Sequence, residues 1–279
     1  MLATTRWTCA WRAGAWGLLA AMAAGAHAQL DLGDIAVGGD GSGATPVGTG
    51  LRITNGQLVS PLVWGGSSYQ SSSFFLATDG SNGTADLPYV DGVFFPKHTT
   101  TIRTSGLSYA FGGNGGYRWD ALRNAAALYE TYPPPVLYPI RLGDQPGVDR
   151  LGLGMHANAW VTFDLSAIRN SGAVFDAVAG VGGINFSALV PWWYADFTLW
   201  IVVDGTLRYQ QSFVHDGLTY EAFNVPLSAT DHFLTIATTD ADFNNQADHA
   251  VLADLRLVPE PTVGLLCLLV VVARRRLAD

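Results

Sequence analysis

A loop rich in acids and amides is the first place where this sequence has the residues for chemistry. Residues 240–249 contain Asp240, Asp242, Asp248 and His249, with two asparagines and a glutamine among them. Carboxylate and amide oxygens are the ligands that Ca²⁺ prefers, so the loop predicts a calcium site. The spacing is not that of an EF-hand, because the glycine at its sixth position and the closing glutamate are missing. A polar loop held by Asx turns explains the same residues without a metal.

His156 is the second candidate, because it lies between two glycines and a strand-like run. Gly152 and Gly154 leave the backbone free to adopt a positive φ or to pass close to another segment. Residues 160–163, which follow, strongly favour a strand. We expect His156 to hydrogen-bond a carboxylate from the downstream acidic loop and so to tie its strand to the last one. A zinc site through His156 and His249 would need a third close ligand.

An aromatic cluster, Trp192, Trp193 and Tyr194, is the third candidate. Sugar rings stack on exposed aromatic faces, while amides and carboxylates bind their hydroxyls. Three adjacent aromatic side chains in a loop cannot all point inward, so we expect at least one to be exposed. The alternative is a buried lid that closes one end of a sandwich.

The elements that must position these candidates are strands. Between residues 51 and 258, short apolar runs alternate with Gly, Ser and Asn turns, and Asp204-Gly205 is a two-residue hairpin signal. Residues 120–129 are the only stretch of this region that we expect to form a helix, which prolines 133–135 would end. The pattern predicts an all-β protein, an antiparallel β-sandwich or jelly roll.

The N-terminus has the three parts of a secretory signal peptide. Residues 1–28 contain two arginines, then an apolar run, then the small-residue motif Ala26-His27-Ala28. We therefore expect a secreted protein whose mature chain begins at Gln29. The next segment, 29–50, is rich in Gly, Asp, Ser and Thr. It predicts a flexible stretch with solvated acids, namely Asp31, Asp34 and Asp40.

The C-terminus looks like a sorting signal. Residues 259–279 contain Pro259-Glu260-Pro261, an apolar run of 11 residues at 263–273 and three arginines. The run is shorter than the roughly 20 residues that span a bilayer, so we expect transient membrane association. The arrangement resembles the PEP-CTERM signal of Gram-negative bacteria. That resemblance implies processing by exosortase at the inner membrane and delivery to the cell surface or extracellular matrix.

The body between the two ends is acidic and has no cysteine. Cys9 and Cys267 lie in the terminal segments, so packing alone must hold the core. Residues 29–258 carry 10 Lys and Arg against 21 Asp and Glu, a net charge of −11. Nucleic-acid binding needs basic patches, so the charge excludes that class. The charge permits calcium binding, although solubility alone explains it equally well.

The second half of the chain resembles the NPCBM family of carbohydrate-binding modules, which have a galactose-binding-domain-like jelly-roll fold. The resemblance rests on the glycine corner 152–157, the strands 175–181 and 197–205, and the closing strand 248–257. It implies one NPCBM-like sandwich over 51–258, best matched at 152–257, that binds a glycan or polysaccharide. Paired glycosidase carboxylates cannot be placed, and the G-x-S-x-G and H-E-x-x-H motifs are missing, so we expect no enzyme.

Two roles stay open for the motif residues, which are Gly152, Gly154, His156, Asp248 and His249. They either buttress the fold or line the sugar site. Two functions stay open as well: a glycan-binding surface protein, or a structural or adhesive matrix protein that binds no sugar. Exposure of the aromatic cluster favours the first function, and burial favours the second.

Overall fold

A computed structural model describes most of the chain between residues 29 and 259. The described residues are 29–52, 55–63, 67–68, 72–75, 87–95, 101–104, 107–111, 118–119, 122–130, 136–143, 149–189, 195–241 and 248–259. Residues Gln29–Val258 form one compact unit. The predicted signal peptide and sorting signal lie outside the described residues, apart from Pro259. No helix in the described ranges is long and apolar enough to cross a membrane.

Strands dominate the described part of the chain. They are β1 Leu30–Asp31, β2 Gly50–Leu51, β3 Leu58–Val59, β4 Ser67–Ser68, β5 Ser72–Phe75, β6 Val90–Phe95, β7 Thr101–Thr104, β8 Leu107–Ala110, β9 Arg118–Trp119, β10 Leu122–Asn124, β11 Ala126–Glu130, β12 Val136–Pro139, β13 Gly152–His156, β14 Ala159–Asp164, β15 Ala177–Ile184, β16 Asp196–Val203, β17 Thr206–Val214, β18 Tyr220–Pro226, β19 Phe233–Asp240 and β20 His249–Val258. The helical segments are α1 Leu32–Ile35, α2 Leu165–Asn170 and a 3₁₀ turn, Phe186–Ala188.

Two large sheets contain most of these strands. The eight-stranded sheet has the order β18-β15-β20-β13-β10-β2-β3, and β1 also pairs with β20. The six-stranded sheet has the order β17-β16-β19-β14-β6-β5. Neighbouring strands in both sheets run antiparallel. The prediction of an antiparallel all-β protein is confirmed.

The main core lies between the two sheets. Leu153, Met155 and Leu252 enter it from the eight-stranded sheet, and Val161 and Leu199 enter it from the six-stranded sheet. Successive residues of a strand point to opposite faces, so every second residue is apolar and buried. Each large apolar side chain buried in this way contributes about 1.5–3 kcal/mol. The two sheets therefore form a sandwich.

A second hydrophobic core, made largely of aromatic rings, covers the outer face of the six-stranded sheet. Trp160 and Trp200 alternate with core residues on β14 and β16, so they point away from the main core. The ring of Phe111, just after β8, lies 4.4 Å from Trp160 and 5.8 Å from Trp200 between centroids. This sheet is therefore buried on both faces around the two tryptophans.

The hairpin prediction is confirmed, and the helix prediction is wrong. Asp204 and Gly205 have φ values of 48° and 74°, as a type I′ turn requires, and they connect β16 to β17. The described residues 122–129 form β10 and β11 instead of a helix. Arg123 pairs with Gly50 of β2 and Gly154 of β13, and this pairing outweighs a weak local helix preference.

The N-terminal segment is packed against the sandwich, which corrects the prediction of solvated acids in part. Asp34 is fully buried. Its carboxylate accepts hydrogen bonds from the backbone N–H groups of Gly41 and Thr45, both at 2.8 Å. The segment therefore wraps around Asp34, because a buried carboxylate needs hydrogen-bond donors. Asp40 is exposed, as predicted.

Candidate functional site

Several chain connections leave the sandwich at one end. β13 ends at His156 and β20 begins at His249, and these two residues pair directly in the sheet. β15 ends beside them, since Ile184 pairs with Ala250. β19 ends at Asp240, so its connection to β20 lies here as well. We call this region the histidine end.

The glycine corner allows β13 to fit among its neighbours on the way to the histidine end. Gly152 has a φ of 128°, which side chains rarely adopt, and a Cβ there would lie 2.0 Å from Leu252 O. A Cβ at Gly154 would lie 2.0 Å from Ala126 O. Either side chain would overlap a backbone oxygen. The two glycines are therefore needed for close backbone packing, and this packing sets the position of His156.

The two histidines form a buried pair. Their ring centroids lie 5.5 Å apart in an edge-to-face arrangement. His156 Nδ1 donates a hydrogen bond to Ala157 O at 2.8 Å. A hydrogen bond of 2.9 Å joins His249 Nδ1 to the hydroxyl of Ser187. The structure thus places His249 directly against His156, although within the described residues no third ligand joins them to hold a metal ion.

Burial keeps both imidazoles neutral at neutral pH. Burial, with a smaller contribution from His249, holds the pKa of His156 well below its usual value of 6.5. Burial and the nearby Arg123 guanidinium lower the pKa of His249 to about 4. Neutral imidazoles in this setting act as hydrogen-bonding and packing groups. They are not exposed acids or bases ready for catalysis.

We call the two histidines, together with the buried charged residues Arg123, Asp240 and Asp248, the base of the histidine end. Arg123 is fully buried, and its Nε donates to Leu62 O at 3.1 Å. Asp248 is buried and accepts the backbone N–H of Asp196 at 3.0 Å. Asp240 is buried too, and its own N–H donates to Asn158 Oδ1 at 2.9 Å. These bonds fix the backbone on both sides of the β19–β20 connection.

The structure describes two of the three predicted calcium ligands. Asp240 and Asp248 lie in the buried base, whereas Asp242 lies outside the described residues. Within the described ranges, no three His, Cys, Asp or Glu side chains come close enough together to hold a metal ion. Calcium binding at this loop stays a prediction.

An exposed surface lies next to the buried base. Phe186 is 55% exposed, and its N–H donates to Arg141 O at 2.8 Å. Arg141 Nη2 lies 2.7 Å from a carboxylate oxygen of Asp149 in an exposed ion pair. Tyr220 is also exposed, and it packs over Gly143, where a Cβ would lie 2.6 Å from its ring. We call Arg141, Asp149, Phe186 and Tyr220 the rim.

Asn185 connects the rim to the base. Its side-chain oxygen accepts the N–H of Arg141 at 2.8 Å, and its amide donates to Ser187 Oγ at 2.8 Å. Ser187 in turn bonds His249. A continuous set of hydrogen bonds therefore links the buried histidine to the segment that carries the rim.

Sequence reasoning missed the rim. Phe186 is a single aromatic residue, and no local pattern indicates that its ring is exposed. The predicted sugar-binding residues Trp192, Trp193 and Tyr194 lie outside the described residues. They belong to the same β15–β16 connection as Phe186, whose described parts end at Leu189 and resume at Ala195.

This chain matches a known protein family in sequence and several known proteins in structure. The family model of the NPCBM/NEW2 domain matches residues 119–258, just over half of the chain. No curated protein is significantly similar to the chain.

Several solved structures share limited similarity with it. CBM51 from Clostridium perfringens GH95, in complex with methyl-galactose, is 18% identical, with a TM-score of 0.37, covering 43% of this chain and 81% of that one. The tandem CBM51 modules of Sp3GH98, a family 98 glycoside hydrolase from Streptococcus pneumoniae, are 20% identical, with a TM-score of 0.35, covering 43% and 36%. CBM51-2 with INT domains from Clostridium perfringens ZmpB, in complex with GlcNAc, is 14% identical, with a TM-score of 0.38, covering 75% and 43%. This chain thus spans less than half of the last two structures.

Proposed function

The chain belongs to the NPCBM/NEW2 domain family, and from that premise we propose that it binds a glycan at the histidine end of its sandwich. The observation that carries the proposal is the rim, in which an aromatic ring that is 55% exposed adjoins a charged pair. Sugar recognition needs these two kinds of group on one surface.

The rim groups have complementary tasks in this proposal. The face of Phe186 stacks on the apolar C–H face of a sugar ring. Arg141 offers N–H donors and Asp149 offers carboxylate acceptors to the sugar hydroxyls, and both side chains are at least 36% exposed. Trp192, Trp193 and Tyr194, from the same β15–β16 connection, are assigned further stacking contacts with the sugar. This assignment is supported by their place in the sequence.

The buried base makes the rim suitable for binding. Affinity is lost when a loop must be ordered on binding, so a preformed surface is an advantage. The hydrogen bonds from His249 through Ser187 and Asn185 hold the backbone of Arg141 in place before a ligand arrives. We therefore assign the motif residues a supporting role, without direct contact with sugar.

The protein acts in this proposal as a binding module without a catalytic step. Asp240, Asp242 and Asp248 are the residues that would supply oxygen ligands if the β19–β20 connection takes Ca²⁺.

The cellular setting is also proposed. The signal-peptide pattern of residues 1–28 supports secretion, and the pattern of 259–279 supports exosortase processing after transient membrane association. The glycan-binding body then reaches the cell surface or the extracellular matrix. Detection of the mature N-terminus at Gln29 in secreted protein would test the first step.

A glycan array probed with the purified chain, with and without a calcium chelator, tests the proposed function. We expect binding to at least one polysaccharide, and loss of binding in Phe186→Ala and in Trp192→Ala. Leu207→Ala is the matched control, because that apolar side chain is also exposed but lies at the hairpin on the opposite end.

Other outcomes would change the assignment. A folded sample that binds no polysaccharide would overturn the proposal in favour of a structural or adhesive matrix protein. Binding that survives in Phe186→Ala and Trp192→Ala would place the glycan site elsewhere. Binding lost only on chelation would assign a calcium ion to the β19–β20 connection.

A further inference from the structure

A groove of ≈190 Å³ opens on the flank of the eight-stranded sheet, away from the histidine end. It lies where β1 pairs with the far end of β20, and Asp31, Gly43, Leu151 and Arg256 contribute to its lining. Arg256 follows His249 by seven residues along β20, which corresponds to roughly 20 Å of strand. The groove is therefore separate from the rim.

Two polar atoms beneath the groove have no hydrogen-bond partner. Asp31 Oδ1 caps helix α1 by accepting from Gly33 N at 2.8 Å, whereas Asp31 Oδ2 is buried and unpaired. Arg256 Nε is likewise buried and unpaired. A buried acceptor and a buried donor without partners are unfavourable, so each favours a ligand group that would satisfy it.

The acceptor and the donor are neighbours across the strands. Asp31 and Arg256 are directly paired in the antiparallel register of β1 and β20. Side chains at such positions start about 5 Å apart on the same face of a sheet. In the described part of the chain no ion pair joins them. Both residues line the groove, so a ligand in the groove lies next to both side chains.

The groove also has an apolar wall. Leu151 is 52% exposed. An atom placed where a Gly43 side chain would begin lies 3.7 Å from Asp31 Oδ2 and 3.8 Å from Leu151 Cδ1, which is van der Waals contact. The missing side chain at Gly43 thus leaves room for one group that touches both the carboxylate and the leucine.

We propose that this groove is a second carbohydrate subsite that holds one sugar ring. One hydroxyl donates to the Asp31 carboxylate, a neighbouring hydroxyl accepts from the Arg256 guanidinium, and the C–H face of the ring lies on Leu151. Because Asp31 Oδ2 and Arg256 Nε are buried, both side chains turn towards the groove when the sugar binds. Asp254 is already paired with Arg150, so the charges of Asp31 and Arg256 balance each other in the groove and favour a neutral polyol that uses both groups. The choice of a glycan as ligand rests on the proposed function, but the site is independent of the rim.

Methyl NMR of the full chain, labelled at leucine methyls, tests the subsite. The signal of Leu151, identified by its loss in Leu151→Met, is followed while methyl β-galactoside or N-acetylglucosamine is added. We expect a saturable shift of this signal. It should persist in Phe186→Ala, and its midpoint should rise about tenfold or more in Asp31→Asn, which keeps the helix cap but loses the charged acceptor.

Matched variants distinguish the effect of filling the groove from a general loss of structure. Gly43→Ala should abolish the Leu151 shift by filling the groove. Gly172→Ala should leave it intact, because Gly172 also has a positive φ but has no atom within 4 Å of its Cβ position. Asp40→Asn is the charge control, since Asp40 is exposed and lies in the same loop.

The outcomes distinguish this subsite from the proposed function. No Leu151 shift in a folded sample that still binds glycan through the rim would overturn the subsite alone. A Leu151 shift without rim binding would support the subsite while the proposed function failed. An equal shift in Gly43→Ala, or a response to CaCl₂ but not to either sugar, would overturn the subsite.

Discussion

The base and the rim of the histidine end are neighbours in space but differ in what their residues contact. The base, with His156, His249 and Arg123, is buried, and these three side chains hydrogen-bond to Ala157 O, the Ser187 hydroxyl and Leu62 O. The rim, with Phe186 and Asp149, faces water. Burial makes a side chain important for stability, and exposure makes it available to a ligand. Substitutions in the base should therefore change the free energy of unfolding, and substitutions in the rim should change binding.

Arg123→Ala should have the largest effect. It removes a long, fully buried side chain and leaves Leu62 O without its donor, so we expect a loss of about 3–5 kcal/mol in the free energy of unfolding. Urea denaturation measures it. Arg208→Ala is the control, because Arg208 is 40% exposed and its ion pair with Asp231 is worth about 1 kcal/mol or less. Equal losses in both variants would show that burial of Arg123 adds nothing to stability beyond what an exposed arginine adds.

Acidification should destabilise the protein through the base. The folded-state pKa of His249 is about 4 against 6.5 when unfolded, so between these values the unfolded state binds more protons. Stability should therefore fall as the pH drops from about 6.5 towards 4, by about 3 kcal/mol from this residue. His156 acts in the same direction. The raised pKa of Asp31 has the opposite sign, because its protonation favours the folded state.

Urea denaturation at several pH values measures this dependence. The slope between pH 5 and 6.5 should decrease in His249→Gln and remain in His232→Gln, where the imidazole is exposed. Arg123→Met should flatten it only slightly, because burial is the main cause of the low pKa of both histidines and Arg123 adds to it. A slope that is unchanged in His249→Gln would show that other groups control acid stability.

Asn185→Ala should affect both stability and binding, because Asn185 links the base to the rim. Its loss leaves the N–H of Arg141 without an acceptor, and we expect a decrease of about 1–3 kcal/mol in the free energy of unfolding. Glycan affinity should fall as well, since the backbone of Arg141 is no longer held. Asn55→Ala, at an exposed asparagine, should change neither quantity. Stability loss with full glycan affinity would mean that the rim does not depend on the base.

Rim substitutions should have the smallest effect on folding. Phe186→Ala should change the free energy of unfolding by about 0.5 kcal/mol or less, because the ring is already exposed. Asp149→Asn should cost about 1 kcal/mol at most, since its ion pair with Arg141 is exposed. Thermal unfolding beside a glycan-binding assay compares the two readouts. A large stability loss in Phe186→Ala would show that the ring supports the fold.

Local sequence signals predicted the parts of the fold that local physics controls. Asp204-Gly205 tolerates positive φ at both turn positions, so its hairpin is readable without the structure. The predictions failed where contacts with residues distant in the sequence determine the local structure. Asp34 looked solvated in a glycine-rich segment, but backbone donors from Gly41 and Thr45 surround it. Residues 122–129 had helix-compatible side chains, but β2 and β13 supply pairing partners.

The sequence by itself determined the all-β class, the hairpin and the family resemblance, because alternation and turn chemistry act between near neighbours. It also indicated Gly152 and Gly154 as places of close backbone approach, since glycine alone lacks a Cβ. Only the tertiary structure decided that His156 faces His249, that Arg123 is buried beside them, and that Phe186 is exposed. Burial and exposure depend on which strands pack together over long sequence separations, and no local pattern contains that information.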